Sequence, residues 1–115
     1  MAGELKLSYT TNLSTYAVIV CPYGEHGGQF WNNTTLAFEE FSAANWTLYR
    51  IPLAESNGTG LHFANMPAVP FRQDHVDVFY YQRVGATATV FDTKIRAYQY
   101  ALTGGHWVAG QQIAV

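Results

Sequence analysis

His75 and Asp77 stand two residues apart in the run DHVDVFYYQR. On a strand both side chains would point to one face, which is the spacing a sheet-borne metal site uses. Such a site needs another ligand, from His26, His62 or His106, and no sequence pattern brings those residues to it. The plainer reading is a strand that begins with polar residues on its wetter face. Glu25-His26 lies in the glycine loop GEHGG and reads as solvated, while His106 beside Trp107 reads as a partly buried, hydrogen-bonded imidazole. Cys21 and His26 are close in sequence, but the flanks YAVIV and PYG make Cys21 a buried thiol at the end of a strand. No serine occupies a strand-to-helix elbow. Adjacent Glu39 and Glu40 would face opposite ways on a strand, so they do not form an acid pair held across a cleft. GEHGG and GTG lack the lysine and helix of a phosphate loop. The sequence therefore reads as non-enzymatic, with no cofactor, and a small metal-dependent enzyme is the catalytic alternative.

Binding chemistry is better represented. The chain holds 3 Trp, 8 Tyr and 7 Phe, and planar rings at sheet edges or loops stack on sugars or anchor protein contacts. Trp107, which follows Gly104-Gly105, is expected at the surface, and Trp31, which ends a strand beside Asn32, reads equally as core or as surface. With Tyr81, Tyr98 and Tyr100 they form the expected interaction surface. A protein partner or a homo-oligomer is the leading expectation, and a carbohydrate is the alternative.

The elements that must carry these residues are strands. In 74–100, Val76, Val78 and Tyr80 alternate with Asp77, Phe79, Tyr81 and Arg83. After a turn near Gly85, Ile95, Ala97 and Gln99 alternate with Lys94, Arg96, Tyr98 and Tyr100. Glu4 to Thr10 reads as a half-exposed edge strand, and Thr15 to Cys21 as a central one. Gln29 to Trp31 restarts extended structure, and Thr35 to Phe41 reads as a short strand leading into a turn. Trp46 to Leu53 reads as a strand because Trp46, Leu48 and Arg50 alternate with Thr47, Tyr49 and Ile51. SNGTG predicts a hairpin with a type I′ turn at Asn57-Gly58. Met66 to Pro70, with two prolines, reads as a crossing between sheets, and His106 to Val115 as a terminal strand interrupted near Gly110. The result is an all-β fold of seven to nine short strands. The expected architecture is an antiparallel β-sandwich of immunoglobulin-like or fibronectin-like layout, in one domain over 1–115, with a small barrel or jelly roll as the other option.

Composition supports a folded chain: 115 residues, 49% hydrophobic, 16% aromatic and 12% charged. The net charge of -2 and the scattered basic residues argue against nucleic acid. One cysteine cannot build a disulfide framework. The start MAGELKLSY has no signal-peptide pattern, and no apolar run is long enough to cross a bilayer, so no membrane association is expected. The sequons at Asn12, Asn32, Asn33, Asn45 and Asn57 read as a by-product of Asn- and Thr-rich turns, and the expected location is cytoplasmic or virion-associated.

The successive segments GQFWN, LAFEEF, WTLYRIPL, GLHFANMP and YYQRVGA, followed by Asp92, resemble small immunoglobulin-like modules of bacterial and prophage-like genes. The resemblance spans about Tyr16 to Ile95 and consists of strand residues, glycines and a proline, without a catalytic motif. It implies a structural or adhesive module, associated with a phage-tail-like assembly.

Overall fold

The computed structural model describes residues 4–24, 26–69 and 74–114. In chain order these form β1 (Leu5–Ser8), β2 (Thr15–Val20), β3 (Phe30–Asn32), β4 (Ala37–Glu39), a 3₁₀ turn (Ala43–Asn45) that runs into α1 (Trp46–Tyr49), β5 (Ile51–Pro52), β6 (Ala54–Glu55), β7 (Leu61–Ala64), β8 (His75–Gln82), β9 (Thr93–Thr103) and β10 (His106–Gln112). The larger sheet has the order β10-β9-β8-β2-β3-β4, with β5 also on β2, and the smaller sheet has the order β1-β7-β6. The pairings are antiparallel. The chain is thus an all-β sandwich. Among the described residues there are ten strands; eight have three or more residues, within the expected seven to nine, and β5 and β6 have two.

Period two decides which side chains enter the core. Along β8, Val76, Val78 and Tyr80 are fully buried while Asp77, Phe79 and Tyr81 are half-buried. Register places Ala17 opposite Tyr80 and Ile19 opposite Val78, so these residues share the inner face of the larger sheet. Leu5 and Leu7 of the smaller sheet pack against them. Each Val, Leu and Ile side chain among them contributes about 1.5–3 kcal/mol through burial. The two sheets are also joined by a polar link. His62 on β7 is buried, its Nε2 lies 3.0 Å from the Thr10 carbonyl, and its Nδ1 lies 3.0 Å from Thr15 Oγ1 on β2. A carbonyl can only accept, so Nε2 carries a hydrogen, and in the neutral ring Nδ1 accepts from the Thr15 hydroxyl.

Two elements depart from the sequence reading. Trp46 to Leu53 is not one strand: the chain makes the 3₁₀ turn and one turn of helix before β5. Trp46 and Tyr49, three apart, bury together on a helical face. Asn33 Nδ2 holds the carbonyls of Leu48, Tyr49 and Arg50, each at 3.1 Å, so the local alternation is overridden by tertiary bonds. In β9 the expected phase breaks. Tyr80 pairs with Arg96 but Tyr81 pairs with Lys94, which makes Ile95 the extra residue of a β-bulge. Ile95 turns into the core, and beyond it Tyr98 and Tyr100 are on the inner face with Val78 and Val76.

The SNGTG hairpin forms as predicted, with φ of 49° at Asn57 and 69° at Gly58 and a bond from Thr59 N to the Ser56 carbonyl. Among the described residues no helix is long and apolar enough to cross a membrane. Glu25 and Pro70 lie outside the described residues.

Candidate functional site

The outer face of the larger sheet carries a second, aromatic cluster. Tyr16 and Val18 on β2 and Tyr81 on β8 meet Trp46 and Tyr49 of the α1 segment, with Phe30 and Ala88 at the margin. Tyr16 stacks on Tyr81 with centroids 5.4 Å apart, and Trp46 meets the Tyr81 ring edge-on at 5.2 Å. Glu39 on β4 secures the segment by accepting from Tyr49 Oη at 2.7 Å, Asn45 Nδ2 at 2.9 Å and Asn32 Nδ2 at 2.9 Å. These donors hold the Glu39 carboxyl below its ordinary range, Asn45 first.

At the end of this cluster Asp92 organises the loop between β8 and β9. Its Oδ2 accepts from Tyr16 Oη at 2.6 Å and Thr89 N at 2.9 Å, and its Oδ1 accepts from Val84 N at 2.9 Å. Tyr16 Oη in turn accepts from Trp46 Nε1 at 3.0 Å. Burial pushes the Asp92 carboxyl up, but the bonds from Tyr16, Val84 and Thr89, aided by Arg83, outweigh it and hold the group below its usual value. Burial, then Asp92, drives the Tyr16 phenol well above its usual range. A charged carboxylate accepting several bonds fixes backbone that the loop would otherwise leave adaptable.

That fixed loop exposes apolar side chains. Phe91 is 88% exposed, Val84 70% and Val90 37%. Ala88, by contrast, turns in and is buried against the aromatic cluster. Interaction residues were not signalled here by the sequence, because VGATATVF reads as a turn followed by the first residues of a strand running from Val90 to Tyr100. The one sequence signal was a hydrophobic pair, Val90-Phe91, next to an acid.

The expected interaction residues lie elsewhere. Trp31 is 1% exposed, in the core between the sheets, edge-on to Phe38 at 5.2 Å. Trp107 is buried against the same core, and its backbone N donates to Glu4 Oε2 at 2.6 Å. Tyr100 is fully buried, and its hydroxyl pairs with that of Tyr80. These three are corrections: Gly104-Gly105 and Asn32 mark turns, but the adjoining ring in each case falls on the inner side of the pleat. Tyr98 is half-buried on the inner face against Tyr80, placed there by the bulge at Ile95. Tyr81 is on the outer face and half-buried under Trp46. The structure brings Tyr80, Tyr98 and Tyr100 together, but leaves Trp31, Trp107 and Tyr81 apart from any common surface patch.

The histidines do not converge. His62 links the sheets, His26 stacks on Phe38, and His106 is exposed where partial burial was expected. The reason is its position at the first residue of an edge strand, whose burial begins at Trp107. His75 joins Tyr23 and Asp74: Tyr23 Oη donates to Asp74 Oδ1 at 2.9 Å and lies 3.0 Å from His75 Nδ1. This group is exposed, and the Tyr23 and His75 bonds keep the Asp74 carboxyl low. No group of three or more His, Cys, Asp or Glu able to hold a metal occurs among the described residues. Asp77 instead borders an open depression of about 360 Å³ with Gln99, Gln111, Gln112 and Ile113. Its Oδ1 is buried without a hydrogen-bond partner among the described residues, and burial raises its carboxyl above the usual range.

Comparison with family models, with curated proteins and with solved structures finds no match for the chain.

Proposed function

We propose that the chain is a non-enzymatic protein-binding module whose β8–β9 loop inserts Phe91, with Val84 and Val90 beside it, into an apolar recess of a protein partner. The observation that carries this reading is a ring 88% exposed on a loop held by Asp92. An exposed aromatic ring on a prearranged loop loses little conformational entropy when it is buried, which is how interface hot spots gain their affinity. The net charge of -2 disfavours an anionic bilayer as the occupant, and a fixed loop suits a shaped protein recess. Sugar stacking has less support, since Trp31 and Trp107 are in the core. An immunoglobulin-like module of a tail-like assembly would present a loop in the same manner, and that kinship belongs to the same proposal.

The test replaces Phe91 with serine. Sedimentation of the wild-type chain over a wide concentration range reports whether a second copy is the partner. A photoreactive residue at position 91, followed by purification of the crosslinked protein, reports any other. With the purified partner, or in self-association, Phe91→Ser should weaken binding by roughly 2 kcal/mol, about 30-fold. An unchanged affinity, or the absence of both self-association and a specific crosslink, overturns the reading; so does tight binding to vesicles that Phe91→Ser abolishes.

A further inference from the structure

We infer that the cavity at the start of β2 is a binding site for a small organic carboxylate, independent of the apolar loop tip. Register creates it. Tyr16 pairs with Pro52 on one side and with Tyr81 on the other. By period two, Ser14, Arg50 and Arg83 then project to the same outer face as those three residues. The cavity there measures about 190 Å³, with Arg50, Arg83, Ser14 and Tyr16 supplying polar lining and Pro52 and Ala88 apolar lining.

The positive charge there has no ion-pair partner at contact distance among the described residues. Two of the chain's six Lys and Arg residues line one small cavity. Neither guanidinium has a carboxylate within 4.0 Å among the described residues. Arg83 Nη2 donates to Ser14 Oγ at 3.3 Å, leaving further N–H groups of its fork available. Asp92 is the acid that feels Arg83, but its oxygens are already taken by Tyr16, Val84 N and Thr89 N. An arginine fork matches a planar carboxylate through charge-assisted, bidentate bonds, and two arginines line this cavity. The apolar wall would cover the remainder of the ligand. A cavity of about 150 Å³ admits benzene. A single ring bearing a carboxylate is therefore the size of ligand that suits this space.

The test is an NMR titration of the full chain at low ionic strength with benzoate, with neutral benzamide and with inorganic phosphate. Benzoate should give saturable shifts at the amides of Ser14, Thr15, Leu53 and Ala88, and benzamide should not. Arg50→Gln should weaken benzoate binding about tenfold, the scale of one charge-assisted contact. The Arg50 side chain makes no hydrogen bond among the described residues, so this variant should keep the wild-type spectrum elsewhere; Arg83→Gln gives a second reading of the same effect. The assignment is overturned if benzoate produces no saturable shift, if benzamide binds equally well, or if both variants bind benzoate as the wild type does. Tighter binding of phosphate than of benzoate would overturn the carboxylate assignment as well.

Discussion

Tyr16 and Asp92, 76 residues apart in sequence, share a 2.6 Å hydrogen bond that ties the central strand of the larger sheet to the loop it presents to solvent. The phenol is shared: it donates to Asp92 and accepts from Trp46 Nε1. Loop, aromatic cluster and sheet therefore meet at one oxygen atom.

Tyr16→Phe deletes that atom while keeping the ring. Trp46 Nε1 loses its acceptor in a buried setting, and Asp92 keeps its two backbone donors. The loss of stability should be about 1–3 kcal/mol, read as a lower urea midpoint with an unchanged slope. Hydrogen exchange at the Val84 and Thr89 amides should speed up more than exchange along β8. Uniform acceleration throughout the chain would mean that the bond does not hold the loop specifically.

The acid limb of the stability curve carries the second prediction. Asp92 is held below its ordinary value of 3.8 in the folded chain. A carboxyl depressed on folding contributes stability that is complete above its unfolded value and is lost as pH falls through its folded value. The chain should therefore weaken as pH drops below about 4, and Asp92→Asn should flatten that limb. Asp77 has the opposite sign. Burial raises its carboxyl above 3.8, so its ionisation opposes folding as pH rises through the folded value. Asp77→Asn should then leave stability unchanged or raise it at neutral pH, by up to about 1 kcal/mol after screening by solvent. Urea titrations at several pH values separate the two; a steeper acid limb in Asp92→Asn would contradict the assigned sign.

Much of the sandwich was legible in the sequence because period two is a local signal. Val76, Val78 and Tyr80 follow it without interruption, and Asn57-Gly58 sets its turn through backbone preference alone. The candidate site was less legible, because each of its parts depends on partners far along the chain. The bulge at Ile95 reverses the phase that would have put Tyr98 and Tyr100 outside. Asn33 and Glu39 capture the α1 segment that alternation marked as a strand. Asp92 would read as an ordinary turn acid without Tyr16 beneath it.

Gly60 supplies the last prediction, at the point where the SNGTG hairpin meets the end of β1. Its φ is +80°, and a Cβ there would stand 2.5 Å from the Tyr9 carbonyl oxygen. The close approach is maintained by Tyr9 N, which donates to the Gly60 carbonyl at 2.8 Å, and by Gly60 N, which donates to Glu55 Oε2 at 3.0 Å. Alanine would have to strain the left-handed backbone and also push against another backbone oxygen, which cannot swing away as a side chain could. Gly60→Ala should cost about 2 kcal/mol or more, whereas Gly85→Ala, where a Cβ meets nothing within 4 Å, should change stability by less than about 0.5 kcal/mol. Thermal unfolding of the two variants side by side checks the contrast, and equal melting temperatures would show that the β1–hairpin contact can relax without cost.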